Sequence, residues 1–350
     1  MDPISHAMLG AAAAGALLGR RLGRHAFAVG IVAGVLPDGD VLDKAIPNLV
    51  DPALPWEFHR HATHAAIAVP LIAAIAILPW MLSSAWRQRW KPLFAAGLVA
   101  AASHTLLDTC TSFGTHLWWP FTGERSAWDI IAIVDPMFTL PLLVAVAVAC
   151  WRNSPRAAQV GLAWAIAVLS LGAVQHLRAR AALEAHIAAG GEEVERIRVL
   201  PTLGNTILWR TLRETRDEQG RRIARAAAVR VPYFGAAELR DGEAIALIEP
   251  DALIWPDEET AARAARVFEV FDRFADGWLG FAGEPPTSAW ANFVLADHRY
   301  SVSSDGFSPL WGIAARPGDP VAPLEWVGLM DRDRATLQRL WSEVMGRDRE

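Results

Sequence analysis

The sequence predicts an all-α polytopic membrane domain over residues 1–176, followed by a soluble α+β domain over residues 177–350. Three observations predict this. Hydrophobic residues make up 53% of the chain and charged residues 20%, a balance too apolar for an ordinary soluble enzyme. The apolar residues are unevenly spread, with nearly all the long runs lying before His176 and ordinary charge density after it. The second half alternates polar and apolar positions in short stretches, as strands do. A net charge of −5 with no basic arm excludes a general nucleic-acid binder. Cys110 and Cys150 form no CxxC pair and read as small buried hydrophobes.

Asp2-Pro3 is a cap and first helical position, opening an Ala/Gly/Leu helix that ends near Gly19 and carries His6 in its first turn. This start lacks the basic region of a signal peptide and is read as retained. After a basic turn at Arg20, Arg21 and Arg24, a second apolar run covers Ala26 to Leu36. Both runs are shorter than the roughly 20 residues that cross a bilayer unaided, so a tilted, partly buried hairpin is expected. Stronger spans are expected at Ala65–Leu82, Pro92–Leu107, Ile130–Trp151 and Val160–Gln175. Pro70, Pro79, Pro136 and Pro141 are expected to kink or end helices there.

The turns at 20–25, 83–91 and 152–156 carry Arg or Lys without Asp or Glu, which orients them to the cytoplasm. If every run crosses, alternation places the N-terminus, the 38–64 loop, the 108–129 loop and all residues after His176 on the opposite, extracytoplasmic side. In the C-terminal half a polar helix over 177–189 precedes candidate strands at 196–200, 206–212, 222–231, 244–248 and 293–296. Turns are expected at 218–220 and at Asp241-Gly242, helices over 258–274 and 332–345, and a surface or strand position for His298.

The chemistry concentrates in Leu36-Pro-Asp38-Gly-Asp40, in His59-Arg60-His61-Ala-Thr-His64, and in Ser103-His104 with Asp108 one helical turn further on. Carboxylate oxygens and imidazole nitrogens are the donors of zinc, manganese and iron sites, and these groups together with His6 are read as one metal site. His104 and Asp108, at i and i+4, share a helix face and can reach one ion; a simple His–Asp hydrogen bond closing the helix is the competing reading. Asp38 and Asp40 fit a Pro-Gly-Asp turn equally well. Arg60 fits either an anion-binding guanidinium or an interfacial arginine facing lipid headgroups. Gly114–Phe121 joins His116 to an aromatic cluster that suits a bilayer belt or a lipid-facing lip of the site.

These motifs resemble the DUF457 family, the YdjM-like inner-membrane proteins of bacteria, a group regarded as metal-dependent hydrolases. The resemblance covers the membrane half and continues more weakly into Pro201–Arg210. It implies His6, Asp38, Asp40, His59, His64, His104 and Asp108 as metal ligands, with Asp40 as bridging ligand or base and Arg60 beside it; His61 is left out, and His116 and Asp135 are outlying candidates. His104-x-x-x-Asp108 also looks, more distantly, like the helix-borne zinc pair of zinc-dependent phospholipase C and P1-type nucleases. The chain lacks a clear second such helix, which weighs against a three-metal cluster unless His116 or Asp135 substitutes.

The function implied is metal-dependent hydrolysis of a phosphoester or other ester in a membrane lipid or lipid-linked substrate. One or two divalent ions would serve it, zinc first and manganese second. The alternative is a non-catalytic metal-binding membrane protein that acts as a sensor, transport or assembly component. Ligands gathered at one face rather than spread through the membrane depth favour the enzyme.

Overall fold

In the computed structural model, residues 1–45, 59–248, 258–283, 293–315, 324–329 and 334–345 are described. Helix α1 (Pro3–Leu22) starts where the Asp2 carboxylate accepts from the Ser5 N–H at 3.0 Å and Pro3 fills the first turn, which needs no N–H donor. It runs past the expected end at Gly19, so Arg20 and Arg21 lie on its last turn, where cations complement the helix C-terminus. The chain reverses at Gly23, whose φ of +59° suits glycine.

Helix α2 (Arg24–Val35) then returns along α1. A Cβ on Gly30 would lie 2.4 Å from the Gly10 carbonyl oxygen, and one on Gly34 would lie 2.6 Å from that of His6. Glycine at both places lets the two backbones touch, and the expected hairpin is observed as a tightly packed one.

The expected span over Ala65–Leu82 is not one helix. After a 3-10 turn at Ala62–His64, it breaks into a second 3-10 turn at Ala66–Ala68, helix α3 (Val69–Ala76) and a single turn at Leu78–Met81. Pro79 cannot donate back into a helix and its ring clashes with the preceding turn, so the helix stops before it. Helix α4 (Trp90–Cys110) is longer than the run that predicted it and carries His104, Asp108 and Cys110 on its last two turns. Helix α5 (Pro136–Arg152) starts later than expected because Asp135 caps it, and it tolerates Pro141 inside.

Helix α6 (Pro155–Gly190) joins the expected span and the expected polar helix into one 36-residue element. At about 1.5 Å per residue, α4 and α6 are long enough for a hydrocarbon core about 30 Å thick. They are the two described helices long and apolar enough to cross a membrane.

The basic turns gather at one end of this helical unit. Arg24 donates to the Cys150 and Trp151 carbonyls at the end of α5, and His25 accepts from the Trp80 indole at 2.9 Å. The other end holds the start of α1, the end of α2 and the end of α4.

Two compact units divide the described residues: 1–45, 59–175 and 203–206 in one, 176–202 and those from 207 onward in the other. Within the first, the Gln175 amide donates to the Thr206 carbonyl at 3.1 Å and ties down the short segment 203–206. The second is built on two four-stranded antiparallel sheets. The first sheet contains β1 (Arg196–Pro201), β2 (Leu208–Arg216), β3 (Arg222–Arg230) and β4 (Glu238–Ala246) in that order. The end of α6 covers it, with Ala179 and Leu183 packed on Val199, Trp209, Val229 and Val231.

After helix α7 (Glu258–Phe274), the second sheet follows as β5 (Leu279–Phe281), β6 (Phe293–Asp297), β7 (Trp311–Ala315) and β8 (Leu324–Gly328), then helix α8 (Arg334–Met345). The turn at 218–220 is a hairpin between β2 and β3, with Gly220 at φ +79°. Asp241-Gly242 is not a turn but lies inside β4; a Cβ on Gly242 would collide with the Asp305 carbonyl at 1.8 Å, so glycine is there for close approach. His298 is buried rather than at the surface, beside the buried Arg299–Asp297 ion pair.

Candidate metal centre

Four residues from three places in the chain meet at the non-basic end of the helical unit. Asp38 comes from the 3-10 helix Leu36–Ala45 that continues α2, His64 from the 3-10 turn before α3, and His104 and Asp108 from the end of α4. One ligand atom from each lies within 4.8 Å of all the others, so the group could hold a metal ion. His64, His104 and Asp108 are fully buried, while the Asp38 side chain is 15% exposed.

On His104 the state of the inward-facing nitrogen follows from what the other nitrogen does. His104 Nδ1 lies 2.7 Å from the Gly34 carbonyl oxygen, which can only accept, so Nδ1 carries the proton and Nε2 keeps a lone pair. That Nε2 makes no hydrogen bond and sits 3.5 Å from Asp108 Oδ2, which makes none either. The helix-closing His104–Asp108 hydrogen bond is therefore absent. His64 Nδ1 lies 2.9 Å from the Thr63 hydroxyl, and its Nε2 faces Asp38 at 3.4 Å and Asp108 Oδ2 at 3.3 Å. Buried acceptors without partners are costly unless something cationic meets them, and the His104 Nε2 lone pair and Asp108 Oδ2, with His64 Nε2 and the Asp38 carboxylate beside them, suit a borderline-soft divalent ion. The residues fit the group.

The electrostatics agree. Burial alone would raise the Asp38 carboxyl, but the His64 hydrogen bond and the His104 and His6 imidazoles outweigh it and bring it down to about 2. Burial opposes charge on His64 as well, yet the Asp108 and Asp38 carboxylates facing it, with Asp40 behind them, raise it. The field that favours a proton on His64 also favours a metal cation in its place.

His6, on α1, stacks on His104 with ring centroids 3.8 Å apart, and its Nε2 lies 3.0 Å from Asp108 Oδ1. It therefore borders the group through Asp108. Asp108 Oδ1 also receives the Met1 α-amino group at 2.5 Å and Arg60 Nη2 at 3.2 Å. Arg60 is 5% exposed, which removes the reading of a headgroup-facing arginine.

Its backbone holds a positive φ of 56°, an uncommon conformation for a long side chain that the surroundings over-determine. The Arg60 N–H donates to Asp40 Oδ2 at 2.8 Å, and its carbonyl accepts from His116 N–H and the Thr115 hydroxyl. Its guanidinium donates to Thr111 and lies over the Phe113 ring.

Asp40 and His59 stand behind this group rather than in it. The Asp40 carboxylate lies 3.4 Å from His59 Nδ1 and 3.6 Å from His64 Nδ1, the side of His64 facing away from Asp38 and Asp108. Burial would raise its carboxyl, but the contacts with His59, His64 and the Arg60 N–H lower it. His116 is not among the converging donors: its ring sits 4.7 Å from that of His61, and burial, Arg125 and His61 push it down to about 4. Asp135 is the N-cap of α5, its Oδ1 committed to the Phe138 N–H at 3.0 Å, and burial raises its carboxyl. In the aromatic loop Trp119 packs against His61, while Trp118 and Phe121 are exposed.

Gly34 and Thr63, which fix the imidazoles, carry no sequence signal of a metal site, although Gly34 belongs to a visible glycine spacing with Gly30.

An apolar helical unit with a buried Asp/His group able to hold a metal defines the class as a helical metal-site protein with candidate membrane spans. Residues 1–179, just over half of the 350, match the family of YdjM inner membrane proteins, and the chain belongs to that family. Neither the curated proteins nor the solved structures contain a match to this chain.

His104→Ala and Asp108→Asn should each strip metal from the detergent-purified protein without preventing membrane insertion, as read by metal analysis beside a fractionation blot. Unaltered metal content with only a lowered Tm, corresponding to about 1–3 kcal/mol for an unsatisfied buried partner, would reduce the group to a structural polar cluster.

Proposed function

We propose that this protein is a membrane-bound, metal-dependent hydrolase that cleaves a phosphoester or other ester of a lipid or lipid-linked substrate. The observation that carries the reading is the convergence of Asp38, His64, His104 and Asp108 on one buried point, with His104 Nε2 and Asp108 Oδ2 unpartnered. Zinc is the ion that this donor set suits best, with manganese second, and the reading is of one or two ions. A divalent ion in such a site supplies Lewis acidity and brings a bound water to a pKa near 7.

The chain's own residues supply the rest. Gly34 and Thr63 hold the imidazoles in register through their Nδ1 atoms. Asp38 is the group's one partly exposed member, so substrate enters on its side. Arg60, held by its backbone and by Thr111, offers a planar cation for a phosphate oxygen once Asp108 is otherwise engaged. Asp40 Oδ2 is taken by the Arg60 N–H, which leaves the unpartnered Oδ1 as the oxygen to accept a proton.

The basic turns at 20–25, 83–91 and 152–156 support an orientation in which residues after His176 and the site are extracytoplasmic, and we propose that orientation. A reporter fused after residue 200 should be active only outside the cytoplasm; cytoplasmic activity there would reverse the orientation.

One observation favours a second reading. Three of the four donors are fully buried, which suits an ion held without turnover, as in a sensor, transport or assembly component. Purified protein should release product from a panel of phosphatidyl and undecaprenyl-type esters, lose that activity with chelator, regain it with zinc or manganese, and lose it in Arg60→Ala. Bound metal with no turnover on any ester of the panel would select the second reading.

A further inference from the structure

Between β3 and β4 the loop Pro232-Tyr233-Phe234-Gly235 presents an aromatic tip, with Phe234 94% exposed and Tyr233 half-exposed. One exposed aromatic is ordinary, but this one is held in place. The Arg178 guanidinium donates through Nη1 to the Pro232 carbonyl and through Nη2 to the Gly235 carbonyl, both at 2.7 Å. The fork grips the loop at both ends, and Gly235, at φ +102°, makes the bend between them and β4.

Arg178 lies on α6, the more exposed of the two candidate spans, three residues and about 4.5 Å beyond Gln175, where the apolar run ends. The neighbouring turn of the same helix shows Val174 and Leu177 to the outside. The loop is thus pinned, by an arginine, to the stretch of helix where a bilayer's headgroups begin if α6 crosses it. Aromatic rings with adjacent cations are what that layer takes up.

We propose that the Tyr233-Phe234 tip is a membrane-interface anchor, inserted among the lipid headgroups beside the emerging α6 and positioned there by Arg178. The occupant is the lipid interface, on the ground of continuity with the exposed apolar face of α6. The proposal rests on α6 crossing the membrane and is independent of hydrolase activity.

The test uses the full chain in vesicles of phosphatidylethanolamine and phosphatidylglycerol, in a Cys150→Ala background. Spin labels are placed by Phe234→Cys, by Ile166→Cys on the exposed face of α6, and by Glu218→Cys. Glu218 lies at the hairpin at the other end of the nine-residue β2–β3 ribbon, about 30 Å from the loop.

The label at 234 should collide more with oxygen than with a water-soluble nickel chelate, as at 166 and unlike 218. Arg178→Gln should shift it toward the pattern at 218. A label at 234 as open to the chelate as that at 218 overturns the proposal: with 166 in lipid the anchor alone fails, and with 166 in water the span fails too. Shielding of 234 from both reagents, as in a protein contact, overturns it as well.

Discussion

The candidate metal centre answers to one buried carboxylate. Asp108 sits at the end of a long apolar helix with no exposure, where an unpaired charge would cost several kcal/mol. One oxygen is met by the Met1 amino group, His6 and Arg60; the other faces His64 and His104 across distances too long or misdirected for hydrogen bonds. The first half of the environment neutralises the charge. The second half leaves lone pairs pointing at one another, the arrangement a cation completes.

The fold exists to make that convergence rigid. Three glycines let α1 and α2 touch backbone to backbone, which puts the start of α1 beside the end of α2. Gly34 takes part twice, since its missing side chain admits the His6 carbonyl and its own carbonyl anchors His104. Arg60 then locks the other side through a left-handed backbone held by Asp40, His116 and Thr115. The ligands lie on element ends, and the imidazoles are supported by the Gly34 carbonyl and the Thr63 hydroxyl. Removing a support is therefore expected to loosen the site while leaving its donor list intact.

Much of this is legible in the sequence, for reasons that can be named. Histidines and aspartates inside an apolar half stand out because such groups are expensive there, and His104 and Asp108 share a helix face by spacing alone. The helices over 258–274 and 334–345 and the hairpin at 218–220 show through periodicity and turn chemistry. What periodicity cannot show is where an apolar run breaks or continues. Pro79 divides the run before α4, and α6 passes without interruption from apolar to polar surface at His176, because helix propensity does not change there.

Strands β5, β7 and β8 are not legible in this way, being short and lacking clear alternation. The division of roles between Asp38, which joins the group, and Asp40, which stands behind His64, depends on side-chain direction in a 3-10 segment, and spacing is silent on that.

X-ray absorption at the edge of the co-purified or reconstituted metal tests the central claim most directly. The expected spectrum is a first shell of nitrogen and oxygen only, with the outer-shell scattering of two imidazoles, and it loses one imidazole in His64→Ala. A sulphur ligand, which would bring in Cys110, or a spectrum of a fully hydrated ion would contradict the site at Asp38, His64, His104 and Asp108.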